Sequence, residues 1–472
     1  MFDNIQRRTG YTWGLVFVML EIPLDRSSGI PLYRQIALHL QRMIISGSLP
    51  EGYKLPGTRQ LATDLGVSRT TVNEAMALLE REGYIMTVGK SGCYVCRKNS
   101  KPFDKNNFPT KKAIWDLSSG LPDESLLPMQ FLCKPLRELS SMASKNLLLP
   151  APLAGLPELR EALVKHAALR GIPACSDEVL VTAGGLEALS LLMTAIKENG
   201  ARKIYVEELT YPLVLKLASK NNLEICPMCL DDPVSSLKSA SNGDAVYLIP
   251  SFHNPTGRTL SLEQRSSILK QARRKSLVVI EDDTYGELRY GKESVPALKA
   301  MEDARNVAYL GSFSQALFPG FRISYLLLPK WLMDRCLEAK RIFYGSVSSL
   351  VQCFALVFLN EGGLYEALDF VRNQISLRMR LLCQELGRSI PKVAFEMPLG
   401  GIYLWVRLPG IKGSRAVLKA ETEGISIVPG YSFAVNGEDV EAVRLSVSAL
   451  KPSDIPLVLV RLCRSWEREF QP

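Results

Sequence analysis

The sequence predicts an α/β protein in two parts: a small unit of short helices ending in a hairpin, then a larger body built on a mostly parallel sheet. Three observations predict it. From about residue 114 onward, helical patterns alternate with short β-rich runs at 179–182, 203–206, 245–249, 277–280 and 307–310, the alternation that produces parallel strands joined by crossover helices. Residues 30–96 instead alternate short helical patterns with turn signals. Between the two, residues 97–113 are polar, basic, Pro- and Asn-bearing and aperiodic, the composition of a linker. At 472 residues the chain also exceeds what one hydrophobic core supports. The expected organisation is an N-terminal extension (1–29), a helical unit (30–96), the linker (97–113) and the body (114–472).

Composition narrows the function. Hydrophobic residues make up 47% and charged residues 22%, as in ordinary globular proteins. The formal net charge is +9, and residues 1–112 hold 16 Lys/Arg against 9 Asp/Glu. A basic surplus at one end suits an anionic polymer. Ten scattered cysteines form no disulfide framework, which implies a reducing, cytoplasmic location. Of two CxxC pairs, Cys93/Cys96 and Cys226/Cys229, the first lies on an expected strand where i and i+3 face opposite ways, so these cysteines read as apolar fillers rather than metal ligands. No segment is long enough to span a bilayer. Arg7-Arg8 and the apolar run 13–20 lack a small-residue cleavage site, and translation is expected to begin at Met19.

In the helical unit, Pro31 opens a helix in which Ile36, Leu40, Met43 and Ile44 share one face. A second, short helix carries Leu61, Ala62 and Leu65, with Arg59 just before it. Gly66-Val67 makes a tight turn, and Ser68 caps a third helix whose Val72, Ala75, Met76 and Leu79 face inward. Arg69, Thr70, Thr71 and Asn73 then point outward near the helix start, where short polar and guanidinium groups reach base edges and phosphates. Gly83 ends the helix. Two short strands flank Gly89-Lys90-Ser91-Gly92, a tip whose glycines allow close approach and whose lysine suits phosphate. This is a winged helix-turn-helix. From Leu61 to Tyr84 it closely resembles GntR-type bacterial regulators, and the resemblance implies that Arg59, Ser68, Arg69, Thr70 and Thr71 touch DNA, with Gly89-Lys90 in the minor groove. Asn73 stands where relatives often carry arginine.

In the body, Thr182-Ala183-Gly184-Gly185-Leu186-Glu187 follows a strand and opens a helix, so the first backbone N–H groups form an anion site. His253-Asn254-Pro255-Thr256-Gly257, Glu281-Asp282-Asp283-Thr284-Tyr285-Gly286, Gly311 to Arg322 and Val443-Arg444-Leu445-Ser446 follow in that order. Across 115–470 the chain resembles fold-type I aminotransferases, with a large mostly parallel sheet domain and a small α+β subdomain. A GntR reader ahead of such a body resembles the MocR subfamily of regulators.

The resemblance implies a pyridoxal-phosphate pocket. Gly185, Leu186, Ser312, Ser314 and Arg322 would hold the phosphate, Tyr211 would stack on the ring, and Asn254 and Tyr285 would bond its O3′. Asp282 would pair with the ring nitrogen, and Arg444 would grip a ligand carboxylate. Tyr285 lies three residues after Asp282, the spacing of working aminotransferases, where many MocR proteins have two. Two positions depart from the family. Pro150 stands where relatives usually carry a tyrosine that reaches the neighbouring subunit's phosphate. Gln315 occupies the position of the Schiff-base lysine, and an amide nitrogen, its lone pair delocalised, cannot attack an aldehyde. No catalytic residue and no metal is therefore expected.

The expected function is a homodimeric transcriptional regulator. It binds a double-stranded DNA operator, on the bacterial nucleoid, and senses pyridoxal phosphate, pyridoxamine phosphate or an amino-acid-related small-molecule effector non-covalently. A working aminotransferase fused to a reader, and a ligand-free dimerisation scaffold, are the alternatives the residues leave.

Overall fold

In the computed structural model the chain divides into two compact units, residues 1–110 and 111–472. The structure describes residues 31–45, 53–81, 84–88, 92–95, 115–141, 147–291, 295–315, 317–360, 363–390 and 392–467, with Ile22, Leu24 and Leu49. The expected extension apart from Ile22 and Leu24, the linker, Gly83 and the wing tip Gly89-Lys90 lie outside the described residues. Among those described, no helix is long and apolar enough to cross a membrane, and no group of His, Cys, Asp or Glu is placed to hold a metal.

The first unit comprises α1 (Leu32–Ile45), α2 (Thr58–Leu65), α3 (Arg69–Arg81) and the antiparallel strands β1 (Ile85–Val88) and β2 (Gly92–Val95). Its core is the apolar stripe read from the sequence: Ile36, Leu40, Ile44, Leu61, Val72, Ala75 and Leu79, closed by Ile85 and Val95. Leu79 is fully buried. Leu79→Ala is expected to destabilise this small core by about 2–5 kcal/mol, through lost transfer energy and the cavity left behind. Urea unfolding of the full chain followed by far-ultraviolet circular dichroism checks it, as an earlier first transition.

The second unit opens with β3 (Trp115–Asp116), α4 (Cys133–Ser141) and α5 (Pro157–Ala168). Then come β4 (Val179–Thr182), α6 (Gly185–Glu198), β5 (Lys203–Glu207), α7 (Pro212–Lys220), β6 (Glu224–Met228), the short α8 (Pro233–Ser236), β7 (Ala245–Leu248), α9 (Leu262–Arg274), β8 (Val278–Asp282), β9 (Val307–Ser312) and β10 (Ser324–Leu327). These strands form one seven-stranded sheet in the order β4-β10-β9-β8-β7-β5-β6. All neighbours run parallel except β10, which is antiparallel to both β4 and β9. Helices α10 (Lys330–Phe343), α11 (Ser349–Asn360) and the long α12 (Gly363–Ser389) lead to a smaller subdomain: β11 (Tyr403–Arg407), α13 (Gly413–Thr422), β12 (Ile425–Ser426), β13 (Val428–Pro429), β14 (Ala442–Ser446) and α14 (Ile455–Glu467). There β11, β14 and β13 form an antiparallel sheet, and β12 pairs with β3 at the start of the unit.

The parallel strands are buried on both faces (β4, β7, β8 and β9 throughout), which is why they read as continuous apolar runs. Parallel strands place all their carboxyl ends on one side of the sheet, and ligands bind outside those ends. The candidate residues after β4, β7, β8 and β9 therefore converge there.

Candidate functional site

On the reader, Thr71 donates its backbone N–H to the Ser68 Oγ at 3.1 Å, so Ser68 caps α3 as its residue type predicts. Ser68, Arg69, Thr70 and Asn73 are exposed. Thr71 is half-buried, its hydroxyl tied to Ser68 at 2.8 Å. Arg59 is exposed but lies inside α2, one residue in from its start, rather than before it. A helix turns every 3.6 residues, and Leu61-Ala62 still bury the face behind it.

In the larger unit, the loop after β4 and the start of α6 build the first feature. Gly184 caps α6 with φ +99°, a left-handed backbone that side chains disfavour. A Cβ there would stand 2.6 Å from the Arg322 guanidinium. Arg322 thus lies against the helix N-terminus, where the first backbone N–H groups of Gly185 and Leu186 lack intrahelical partners. Among the described residues, Arg322 makes no hydrogen bond or ion pair. Glu187 fixes the loop from behind: it accepts from the Ala183 N–H at 2.9 Å and pairs with the buried Lys340. Ser312 and Ser314 are buried nearby on the chain leaving β9. The Ser312 Oγ accepts from Ser324 Oγ at 2.7 Å, and Ser314 donates to the Ile323 carbonyl at 3.4 Å.

Strand alternation separates the three carboxylates that end β8. Glu281 and Asp283 face one way. Glu281 accepts from the backbone N–H groups of Leu298 and Lys299 (2.7 and 2.8 Å), and Asp283 pairs with Arg170 at 2.6 Å. Burial, with the nearby charge of Asp283, pushes Glu281 up to about 7. Asp282 faces the other way and is 5% exposed. One of its oxygens accepts from Tyr247 Oη at 2.7 Å, the other from the Thr284 hydroxyl at 2.6 Å and its N–H at 3.1 Å. Burial still raises its pKa, and those hydrogen bonds only partly oppose it. A buried carboxylate of this kind gains from an adjacent cation.

Tyr211 caps α7 and is half-buried. Burial and the negative charge of Asp282 push its phenol up to about 12, while Arg322 and Arg444 act in the other direction. Tyr211, Asp282, Arg322 and Arg444 therefore share one electrostatic neighbourhood. Burial also raises the Tyr285 phenol far above its ordinary value, so both tyrosines are neutral hydrogen-bonding groups.

Arg444, on β14, donates to Asn254 Oδ1 at 2.8 Å and to the Ser118 carbonyl at 2.7 Å. Its buried Nε has no partner. With its oxygen committed to Arg444, the Asn254 amide presents its NH2 as the remaining donor.

Tyr403, on β11, is a residue the sequence reading did not single out. Its ring stacks under the Arg444 guanidinium at 4.0 Å, and its hydroxyl accepts from Tyr285 Oη at 3.4 Å. The available signal was Gly400-Gly401 just before β11: a Cβ on Gly400 would stand 2.6 Å from both Phe252 and the Leu288 carbonyl. Also missed were His166, Arg170 and Arg372, which converge on the buried Glu287. Burial alone would raise that carboxyl, but the His166 hydrogen bond and the Arg170 charge hold it far below the usual range.

Gln315 is half-buried, its Oε1 beside Gly120 as is the Tyr403 hydroxyl, and it makes no hydrogen bond among the described residues. Two lysines flank this stretch of the sequence. Lys299 donates to the Val307 carbonyl at 2.9 Å, at the opposite end of β9 from Ser312, and Lys330 begins α10. Pro150 is exposed.

Two family models match the chain: "Aminotransferase class I and II" over residues 113–462 and "Bacterial regulatory proteins, gntR family" over residues 32–95. The chain is 30% identical to the uncharacterised HTH-type transcriptional regulator YdcR of Escherichia coli, over 85% of this chain and 92% of that one. The chain belongs to the GntR-type transcriptional regulators with an aminotransferase class I and II body. This is the MocR arrangement. The regulator is likewise 29% identical to the uncharacterised HTH-type transcriptional regulator YisV of Bacillus subtilis, over 91% of this chain and 95% of that one. Among solved structures, it matches the kynurenine aminotransferase of Pyrococcus horikoshii, in complex with PMP, at 27% identity and a TM-score of 0.70. That match covers 77% of the regulator and 93% of the enzyme.

Proposed function

We propose that the regulator's body binds a phosphorylated B6 vitamer, pyridoxal phosphate or pyridoxamine phosphate, alone or joined to an amino acid, reversibly and without a covalent bond. Binding biases the orientation of the two DNA readers in a homodimer. Three observations support this reading: Arg322 crowds the Gly184 helix cap without a hydrogen bond or ion pair among the described residues, Asp282 is buried, and the buried Nε of Arg444 has no partner. The Gly184–Arg322 approach supports a fit to phosphate, since a bare glycine cap and an unpaired guanidinium leave a cationic hollow at the helix start. When bound, the vitamer supplies a phosphate anion and an aromatic ring with a basic nitrogen. Gly185, Leu186, Ser312, Ser314 and Arg322 hold the phosphate, and Tyr211 covers the ring. Asp282 holds a proton at the ring nitrogen, Asn254 and Tyr285 bond O3′, and Arg444 takes a ligand carboxylate. Gln315 moves no proton, so the pocket does not transaminate.

An exposed apolar strip supports a second copy of the chain as partner. Leu148 is 90% exposed and Leu149 59%, joined through the bond from Ser349 to the Leu149 carbonyl to Leu350, at 53%. For the ligand to act, it must favour one arrangement of the readers over the other.

Thermal denaturation of the full chain with each vitamer tests the reading. Saturation at a hundred times Kd stabilises by about 2.7 kcal/mol, a rise of several degrees. A flat response to every vitamer would leave only a scaffold.

For the reader, Ser68, Arg69, Thr70, Thr71, Asn73 and Arg59 meet the operator, with Gly89-Lys90. Arg69→Ala is expected to weaken DNA binding at every salt concentration. If Arg69 meets a phosphate, the slope of log K against log salt falls by about one. Fluorescence anisotropy across a salt series measures both.

A further inference from the structure

We propose that this pocket prefers the aminomethyl vitamer, pyridoxamine phosphate, over the aldehyde, and that Tyr403 and Gln315 set that preference. The inference rests on the proposed vitamer site and goes beyond it by choosing the ligand form and adding a specificity-determining residue.

The geometry lies around Gly120. A point one bond out from its Cα is 2.7 Å from the Tyr403 hydroxyl and 3.6 Å from Gln315 Oε1. Two oxygens from the small subdomain and from the loop after β9 therefore converge on one spot. Tyr285 joins them by donating to Tyr403. Because Tyr403 accepts that bond, one lone pair and its own proton remain, and the Gln315 carbonyl is wholly uncommitted. The family's lysine forms its bond with C4′ from position 315, so these are the groups that meet the substituent on that carbon.

Charge decides between the two vitamers. A lysine at this position would place a cation next to C4′, whereas glutamine and the two phenols are neutral. The guanidinium of Arg444 is a like charge, but it lies over the face of the Tyr403 ring at 4.0 Å and commits two of its N–H groups to Asn254 and Ser118. An ammonium on C4′ thus finds acceptor oxygens and makes charge-assisted bonds, roughly twice as strong as neutral ones. An aldehyde oxygen can accept from Tyr403 or the Gln315 amide, but only as a neutral acceptor, and the covalent bond that would compensate is absent. The difference is about tenfold in affinity.

Calorimetric titration of the full chain with pyridoxamine phosphate, pyridoxal phosphate and pyridoxine phosphate tests this. The third vitamer carries a neutral hydroxymethyl group of the same size. Pyridoxamine phosphate is expected to bind about tenfold more tightly than pyridoxine phosphate, and pyridoxal phosphate no more tightly than pyridoxine phosphate. Tyr403→Phe and Gln315→Leu should each narrow that gap by weakening pyridoxamine phosphate more than pyridoxine phosphate, and Gln315→Glu should widen it. Equal affinities, or pyridoxal phosphate as the tightest ligand, would overturn the preference and leave the vitamer site standing. Binding of none of the three would remove the site itself, and the preference with it.

Discussion

Gln315→Lys is expected to convert a colourless protein, from which added pyridoxal phosphate washes away, into a yellow one that retains it through gel filtration. On the proposed reading the substitution puts an amine beside the vitamer, and an amine can attack the aldehyde where an amide cannot. Gln315 is half-buried and makes no hydrogen bond among the described residues, so little native bonding is lost with it. Visible absorbance before and after borohydride reads the result: the band of Gln315→Lys should bleach and leave a stable mass increment, and the unsubstituted protein should show neither. If the variant also stays colourless, position 315 does not face the vitamer, and the placement of the pocket is wrong.

The second large effect is expected at Arg322. Its guanidinium crowds the Gly184 cap and makes no hydrogen bond or ion pair among the described residues, as the proposed phosphate site requires. Arg322→Ala should cut affinity for phosphorylated vitamers by about 2–3 kcal/mol, roughly 30- to 150-fold. The denaturation midpoint without ligand should hold to within about 0.5 kcal/mol or rise slightly. A lysine there should restore only part of the affinity, because it lacks the planar fork that meets phosphate oxygens in pairs. Calorimetry alongside thermal denaturation separates the two effects. A large loss of ligand-free stability would instead make Arg322 a structural residue.

Part of the local geometry around the candidate site was legible in the sequence. The Gly184-Gly185 helix start and the Asp282 strand end each fall within a few consecutive residues, where helix capping and strand alternation dictate direction. The reader was legible for the same reason: Ser68, Val72, Ala75 and Leu79 follow the helical period, and all face as their spacing requires. What escaped depends on long crossovers. Tyr403 meets Tyr285 across 118 residues of chain, and Arg444 meets Ser118 across 326. No local pattern encodes such meetings. Strand β6 was missed because Pro227 interrupts it; it sits at the edge of the sheet, where a proline costs little. Strand β10 was missed because only four residues follow the Pro-Gly turn, and its antiparallel insertion between β4 and β9 departs from the βα alternation. That insertion brings Ser324 against Ser312.

The claim that the pocket holds its vitamer without bonding to it is tested most directly by mass. The purified full-length chain, incubated with pyridoxal phosphate, treated with borohydride and then denatured, should give the mass of the bare polypeptide. A phosphopyridoxyl adduct mapping to the pocket would contradict the account.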